Sequence, residues 1–333
     1  MQINENAVFD NTPAGLKNLL SFGATFCPAP FIEEYVGATR ARLCCIDKPT
    51  DASIATIRQN MLDNKKSASC VTCYNEEAQK VVSFRQEKLA TVLKTGQAEY
   101  LTQSVGNFVE TGQPLPPTRY EISASNLCNF ACVMCSSFNS SKIPTAAGEL
   151  VRYERSLDQI SPPENSFVAI SGGEPFLNKK YVKFLQRIPV SCEVCITTNA
   201  SVWNPGMVSV LERFSKLYLH ISIDGIGEVH EKIRALSRWH IVEQNAKRLI
   251  AHFGPDRVVI NTVAQKDNVN HLIDIAEWVD QQGVAWQLEE VRSKGDLLPE
   301  LAKPYVVPER IFQLRAVKTN VVTAKYLRYL QSC

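Results

Sequence analysis

The sequence lacks the features that would tie the protein to a membrane or to a polyanion. It has no run of about 18 apolar residues, so we expect no membrane-spanning helix. Residues 1–6 lack the basic start and the apolar stretch of a secretory signal peptide. The 36 basic and 34 acidic residues leave a net charge of +2, which demands no nucleic-acid partner. We therefore expect a cytoplasmic protein that needs no membrane.

Histidine is scarce, but cysteine is abundant. The five histidines are scattered and form no metal-binding pattern, whereas the chain contains eleven cysteines. In a chain without an export signal, so many cysteines indicate metal or redox chemistry in a reducing compartment rather than disulfides. Most of them lie before residue 136. These cysteines are the first candidates for metal ligands.

The most specific motif is a group of three cysteines with the spacing C-x3-C-x2-C, formed by Cys128, Cys132 and Cys135. Three thiolates this close can hold three irons of a 4Fe-4S cubane and leave the fourth iron open, whereas a structural zinc site or a closed cluster uses four protein ligands. An open iron is a reaction site. By spacing alone, a structural metal site with a distant fourth ligand remains the alternative.

Strand and helix patterns alternate from residue 119 to residue 291. Predicted strands lie at 119–125, 166–171, 193–198, 216–223, 257–264 and 285–291. Predicted helices lie at 178–188, 206–215, 237–253 and 269–282. Alternation of this kind implies a parallel sheet with helices on its outer side. Six strands are too few for a closed eight-stranded barrel and fit an open (β/α)6 arrangement.

The parity of these strands predicts a polar inner face, because alternate residues point to opposite sides of a sheet. Polar side chains recur on one face of several strands, which suits a barrel interior that receives a ligand. The candidates for substrate contacts on this face are Glu121, Ser123, Gln287 and Glu289. The alternative is that these polar residues merely occupy strand ends or edges.

Two further segments place ligand-binding groups at predicted strand ends. Gly172, Gly173 and Glu174 follow the second strand, where glycines let a ligand approach the backbone and a carboxylate suits an ammonium group. Ser222 and Asp224 lie on one face at the end of the fourth strand, where both side chains can reach a ribose diol. These segments suit a ligand that carries an amine and a sugar.

Together these motifs resemble, in order and placement, those of the radical S-adenosylmethionine (SAM) family. The resemblance implies a partial (β/α)6 barrel whose cluster binds SAM and cleaves it to a 5′-deoxyadenosyl radical. It also implies an electron donor such as flavodoxin or ferredoxin. It assigns Glu174 and the glycines to the SAM amino group, Ser222 and Asp224 to the ribose, and Arg234 to the SAM carboxylate. Asn199 lines the pocket, and Met134, at a position often aromatic in the family, packs on the adenine. An ordinary helix-face arginine is the alternative for Arg234.

A second group of cysteines lies nearer the N-terminus. Its members are Cys27, the pair Cys44 and Cys45, and the C-x2-C motif of Cys70 and Cys73. The group resembles a twitch domain, which implies an auxiliary 4Fe-4S cluster on Cys27, Cys70, Cys73 and one of the pair, with Cys44 favoured over Cys45. A zinc ribbon fits the same spacing.

We therefore predict an α/β chain with three parts. These are a twitch-like domain at 1–115 with helices near 52–63 and 76–93, a radical SAM barrel at 116–295 and a helical extension at 296–333. The expected reaction is crosslinking, dehydrogenation, epimerisation or isomerisation of a peptide or protein residue. The alternatives are a radical SAM isomerase or modifying enzyme for a small molecule or nucleobase, and, in another class, a non-catalytic iron–sulfur electron carrier or redox sensor.

Overall fold

The computed structural model describes residues 22–39, 41–78 and 83–290. The chain divides into two compact units, residues 1–35 with 41–121 and residues 36–40 with 122–333. The predicted C-terminal helix lies outside the described residues. Within the described residues, no helix is both long enough and apolar enough to cross a membrane.

The first unit is mainly helical. Its helices are α1 (Ala29–Ile32), α2 (Ile54–Leu62), α3 (Val71–Ala78), α4 (Phe84–Lys94) and α5 (Ala98–Thr111). Two short strands, β1 (Glu33–Gly37) and β2 (Ala41–Arg42), pair with each other. The predicted helix at 52–63 is confirmed as α2, which begins at Ser53 because its hydroxyl accepts from the Thr56 N–H at 3.0 Å.

The predicted helix at 76–93 is wrong as a single element. The structure has α3 and α4 there instead, and α4 has its own beginning at Ser83. Ser83 and Gln86 form a capping box, in which each side chain bonds to the backbone N–H of the other residue. Such a box satisfies two N–H groups at the start of a helix, so it favours a new helix at this point.

The second unit contains the predicted sheet. Its strands are β3 (Arg119–Ser123), of which residues 122–123 belong to this unit, β5 (Phe167–Ile170), β6 (Glu193–Thr198), β7 (Leu217–Ser222), β9 (Val258–Ala264) and β10 (Ala285–Glu290). They lie side by side in the order β10-β9-β7-β6-β5-β3. The four pairs from β5 to β10 are parallel, and the chain has the mixed α/β fold of a partial barrel, as predicted.

Helices connect these strands where the periodicity predicts them. They are α6 (Lys179–Arg187), α7 (Pro205–Leu211), α9 (Trp239–Phe253) and α10 (Leu272–Gln282). A further short helix, α8 (Glu228–Ile233), and a two-stranded ribbon of β4 (Ala131–Cys132) and β8 (Arg234–Ala235) were not predicted. Both are too short to show a periodic pattern.

Burial alternates along the strands of this sheet. One face of β6, with Val194 and Ile196, is fully buried, as are Leu219 of β7 and Ile260 of β9. The residues between them are half-buried or exposed. The sheet therefore has one apolar face that packs in the core and one accessible, largely polar face, as strand parity predicts.

Candidate functional site

The three cysteines of the C-x3-C-x2-C motif lie in the loop that follows β3. Cys132 is on β4, which pairs antiparallel with β8 so that Cys132 is the register partner of Arg234. The Val133 N–H donates to the Ile233 carbonyl at 2.9 Å, and the Cys135 N–H donates to the Cys132 carbonyl at 3.0 Å. The loop is thus fastened to the segment that carries Arg234, and this brings an arginine beside the cysteines.

Two opposing effects act on the pKa of the thiols in this loop. Burial raises the pKa of Cys128, and the hydrogen bond with Cys135, followed by burial, raises the pKa of Cys132. Donors oppose both effects, because the Phe130 N–H lies 3.4 Å from the Cys128 sulfur and Arg234 Nη1 lies 4.0 Å from the Cys132 sulfur. N–H groups and a cation near the sulfurs stabilise thiolates. Within the described ranges, no three Cys, His, Asp or Glu side chains surround a single-ion position.

Gly172 and Gly173 bring the end of β5 against this loop. Both have left-handed backbones, with φ of +82° and +58°. A Cβ on Gly172 would overlap the Ser123 hydroxyl, and one on Gly173 would overlap the Leu127 carbonyl and lie 2.8 Å from its carbon. The Glu174 N–H donates to that carbonyl at 2.7 Å. The glycines therefore allow a close contact between two backbone segments.

Glu174 lies beneath these glycines and is 1% exposed. Its carboxylate accepts from the Phe176 N–H at 2.9 Å, the Thr198 hydroxyl at 2.7 Å and the Asn199 N–H at 2.6 Å. Burial raises its pKa despite these donors. A carboxylate has about four acceptor sites, so little capacity is left for a ligand. Glu174 joins the ends of β5 and β6, and its contact with a SAM amino group stays a prediction.

Asn199 links the end of β6 to the cysteine loop. Its Nδ2 lies 3.1 Å from Asn129 Oδ1 and 3.9 Å from the Cys128 sulfur, and its Oδ1 accepts from the Ser201 N–H at 2.9 Å. Asn129 Nδ2 donates in turn to the Ser201 hydroxyl at 2.8 Å. Sequence reasoning missed Asn129 and Ser201. The available signal was a polar residue directly after Cys128.

Asp224 and Arg234 form a buried ion pair. Asp224 is fully buried, its Oδ2 lies 2.7 Å from Arg234 Nη2, and its Oδ1 accepts from the Val263 N–H at 2.7 Å. Burial raises the pKa of Asp224. Burial acts to lower the pKa of Arg234, but the nearby Asp224, followed by Cys132, holds that pKa above its ordinary value. Sequence reasoning assigned the two residues to different parts of SAM. The structure pairs them with each other, so Asp224 orients Arg234.

Buried polar atoms without a hydrogen-bond partner gather in the same region. In the described part of the second unit they belong to residues between 224 and 265, at the ends of β7 and β9 and around α8. Apart from Asp224, whose oxygen faces Arg234, they are both ring nitrogens of His230, Nε of Arg234, the Ser237 hydroxyl, Oδ1 of Asn261 and the whole amide of Gln265. An unsatisfied buried polar atom costs about 1–3 kcal/mol. A ligand with amino, carboxylate, ribose and base groups fits this set, as SAM does.

The remaining candidates from the sequence are distributed as follows. Met134 is half-buried between Cys132 and Cys135, and Ser222 is buried at the end of β7. Gln287 and Glu289 lie on the accessible face of β10, where the Gln287 amide donates to the Glu289 carboxylate at 2.6 Å. Ser123 is half-buried on β3 and meets Gly172.

Glu121 has a different environment from the one that sequence parity indicates. Its carboxylate accepts from Lys88, which also lies 2.8 Å from Glu33 Oε2. Arg119 Nε lies 3.3 Å from the other oxygen of Glu33. These four side chains form a largely buried charge cluster in the first unit. The cluster competes with any substrate for Glu121, and strand parity could not reveal it because Lys88 lies on α4.

The N-terminal cysteines line one cavity in the first unit. The cavity and its mouth contain about 320 Å³ of atom-free space. Its lining includes Cys27, Cys44, Cys70, Cys73, Asp47, Ser69 and Arg85. The loop that carries Cys44 is held by Asp47, which lies 2.7 Å from Arg42 Nε and accepts from the Leu43 N–H at 3.1 Å. Cys44, and not Cys45, belongs to the lining.

Backbone donors accompany these cysteines as well. The N–H groups of Ala29, Ile46 and Arg85 donate to the sulfurs of Cys27, Cys44 and Cys73, respectively. Burial raises the pKa of all four thiols, that of Cys70 to about 11. Four buried or half-buried thiols, three of which have N–H donors, fit a bound metal centre, which would keep them deprotonated.

Comparison with known proteins identifies the second unit. Residues 122–279 match the model of the radical SAM superfamily. The chain is 26% identical over 233 residues to a GTP 3′,8-cyclase of Ectopseudomonas mendocina, which covers 64% of this chain and 68% of the relative. It is 28% identical over 121 residues to an AdoMet-dependent heme synthase of Methanosarcina barkeri, covering 35% of this chain and 34% of the relative.

A solved structure of Streptococcus suis SuiB bound to the precursor peptide SuiA aligns with a TM-score of 0.49 at 14% identity, covering 89% of this chain and 71% of that one. Native anSMEcpe with bound AdoMet aligns with a TM-score of 0.42 at 17% identity, covering 52% of each chain. The family match and the cysteine loop lead to one conclusion. Residues 122–279 form a radical SAM domain, which identifies the protein as an enzyme.

Proposed function

We propose that the protein is a two-cluster radical SAM enzyme that oxidises a peptide or protein residue. In this proposal Cys128, Cys132 and Cys135 hold the cluster that binds SAM. The auxiliary 4Fe-4S cluster is held by Cys27, Cys44, Cys70 and Cys73. The observation that carries the second cluster is the single cavity lined by all four of these cysteines. Residues 1–115 then form a twitch-like auxiliary domain, and residues 116–295 form the barrel.

Several side chains of the second unit prepare the SAM site. Arg234, oriented by Asp224, offers its cation to the SAM carboxylate, a geometry that suits guanidinium better than ammonium. Ser222 lies at the same strand end, within reach of a ribose. The unpaired Oδ1 of Asn261 and the unpaired amide of Gln265 are available to the nucleoside. When bound, the cluster supplies the electron that cleaves SAM to methionine and a 5′-deoxyadenosyl radical.

An auxiliary cluster that accepts electrons favours an oxidation. A 5′-deoxyadenosyl radical would take one hydrogen atom from a substrate C–H bond and become 5′-deoxyadenosine. The substrate radical would then lose one electron to the auxiliary cluster and release one proton, which would leave a crosslinked or dehydrogenated residue. A cluster with four protein ligands has no open iron for substrate, so the auxiliary cluster suits one-electron transfer. An external donor such as flavodoxin or ferredoxin supplies the electron for SAM cleavage.

The accessible face of the sheet supports a peptide substrate. On the described strands β5 to β10, the half-buried and exposed positions of this face include Thr197, Tyr218, Asn261 and Gln287, the carboxylates Glu193 and Glu289, and no lysine or arginine. Hydrogen-bonding side chains without a cation suit peptide amides. A phosphorylated substrate would call for cations, usually arginine or lysine. A small molecule or nucleotide is the second candidate, because the relatives include a GTP 3′,8-cyclase and a heme synthase.

Anaerobic reconstitution tests the two-cluster proposal. We expect about eight irons per chain, as two cubanes require, and 5′-deoxyadenosine after addition of dithionite and SAM. About four irons plus zinc, with 5′-deoxyadenosine, would remove the auxiliary cluster and keep the SAM chemistry. Intact iron–sulfur protein that neither binds nor cleaves SAM would contradict the catalytic assignment and favour an electron carrier.

A matched pair of variants tests the ligand choice. Cys44→Ser should lose the auxiliary cluster, and thus about four irons, because Cys44 lines the cavity. Cys45→Ser is the control and should retain both clusters. The reverse pattern would reassign the fourth ligand to Cys45.

Isotope transfer tests the substrate class. Incubation with deuterated peptides should place deuterium in 5′-deoxyadenosine, whereas deuterated nucleotides should not. Transfer from a nucleotide alone would favour the second candidate.

A further inference from the structure

Ser69 is a buried serine in the wall of the cavity lined by the four N-terminal cysteines. It is 1% exposed, and its hydroxyl has no hydrogen-bond partner. Leaving a buried hydroxyl unsatisfied costs about 1–3 kcal/mol. An unpaired donor in the wall of a cavity indicates an acceptor that the protein itself does not supply.

The backbone fixes the position of this serine. Ser69 lies in the 3-10 turn Ala68–Cys70, directly before a candidate ligand. Its carbonyl accepts from the Lys48 N–H at 3.0 Å, and the Cys70 N–H donates to the Ser67 carbonyl at 3.0 Å. These bonds hold the turn against the loop that carries Cys44. The Ser69 side chain is thus held among the cysteines.

The charged groups near the cavity are already compensated. Arg85 lines the cavity, but its Nε lies 3.0 Å from Glu77 Oε1 and its Nη1 donates to the Phe26 carbonyl at 2.8 Å. Asp47 is paired with Arg42 at 2.7 Å. Because each charge has an opposite partner, neither is left to act on a cluster, whereas the Ser69 hydroxyl has no partner.

We propose that the Ser69 hydroxyl donates a hydrogen bond to a sulfur of the auxiliary cluster and thereby raises its reduction potential. The inference rests on the proposed function, since it requires a cluster on Cys27, Cys44, Cys70 and Cys73. Reduction adds negative charge to a cluster, and hydrogen bonds to the sulfurs stabilise that charge. The Ser69 hydroxyl therefore makes the auxiliary cluster a better electron acceptor.

A redox titration followed by electron paramagnetic resonance tests this role. The full-length protein carries Cys128→Ala, Cys132→Ala and Cys135→Ala, so that the signal comes from the auxiliary cluster alone. At a fixed potential, Ser69→Ala should lower the ratio of reduced to oxidised cluster about tenfold, which is about 59 mV for one electron. Ser69→Thr keeps the hydroxyl and should keep the original potential. Ser67→Ala, a buried serine outside the cavity lining, is the matched control.

The outcomes separate this inference from the proposal on which it rests. An unchanged potential in Ser69→Ala, with its full complement of cluster iron, overturns the role of Ser69 and leaves the auxiliary cluster in place. An equal fall in Ser69→Thr or Ser67→Ala also overturns it, because packing would then explain the shift. A protein that binds no second cluster at all overturns the two-cluster function itself.

Discussion

Gly173→Ala tests one backbone contact between β5 and the cysteine loop. The residue has a φ of +58°, and a Cβ there would lie 2.8 Å from the Leu127 carbonyl carbon and 2.9 Å from that of Asn126. The left-handed conformation alone costs a non-glycine residue about 1–2 kcal/mol. Moving the Leu127 carbonyl away would also break its bond to the Glu174 N–H, and an unsatisfied buried donor costs about 1–3 kcal/mol. We expect a total loss of about 2–5 kcal/mol from these two terms.

The chain offers a matched control for the backbone term. Gly148 has a φ of +82°, and a Cβ at this residue would meet no atom within 4 Å. Gly148→Ala should therefore lose only the about 1–2 kcal/mol of the left-handed conformation. Denaturant unfolding of both variants gives the difference in the free energy of unfolding, and equilibrium dialysis gives the affinity for SAM. Gly173→Ala should be the less stable variant and the weaker SAM binder. Equal behaviour of the two variants would refute a steric role for Gly173.

Three other perturbations follow from the buried ionisable groups. Arg234→Met should destabilise the fold by about 3–5 kcal/mol, because it leaves Asp224 buried without its partner. The double variant with Asp224→Asn should recover much of that loss. If denaturant unfolding shows that the effects of the two substitutions are purely additive, the two residues are not coupled. Burial lowers the pKa of His230 from 6.5 to about 3, so this group's contribution to stability is fully present above pH 6.5 and is lost as the pH falls toward 3. His230→Phe should reduce the slope of the unfolding free energy against pH, below pH 6.5, by up to about 1.4 kcal/mol per pH unit. An unchanged slope would count against a neutral buried histidine. Lys88→Met leaves the carboxylates of Glu33 and Glu121 without their ammonium group. It should lower the free energy of unfolding at neutral pH by about 3–5 kcal/mol. An unchanged free energy of unfolding would show that the charge cluster adds nothing to stability.

The sheet and the cysteine loop could be predicted from the sequence because both are local patterns. The alternation of strand and helix is periodic, so it indicates the parallel sheet before any contact is known. The C-x3-C-x2-C spacing brings Cys128, Cys132 and Cys135 together over only eight residues of chain. The family match over residues 122–279 confirms the interpretation of this segment. Local spacing is sufficient where neighbours in sequence are also neighbours in space.

The contacts that position the site could not be predicted, because they join distant segments. Asp224 and Arg234 meet only because α8 and the ribbon of β4 and β8 turn the chain back toward the end of β7. Glu174 is held by donors from β6, and Glu121 is held by Lys88 of α4. In each case the sequence identified the charged residue, but its partner depends on packing between distant segments. Because of that partner, the residue supports the structure of the site, whereas the sequence assigned it to a contact with a ligand.

Buried polar atoms without hydrogen-bond partners indicate binding sites that sequence patterns do not. Native proteins satisfy nearly all of their buried polar groups, so a cluster of exceptions requires a reason. In the described part of the second unit, such atoms lie within residues 224–265, beside the cysteine loop and the Asp224–Arg234 pair. In the first unit, the Ser69 hydroxyl lies among four cysteines. If SAM satisfies the first group, its binding should protect the backbone amides at the ends of β7 and β9 from hydrogen exchange. Protection confined to other strands would place SAM elsewhere.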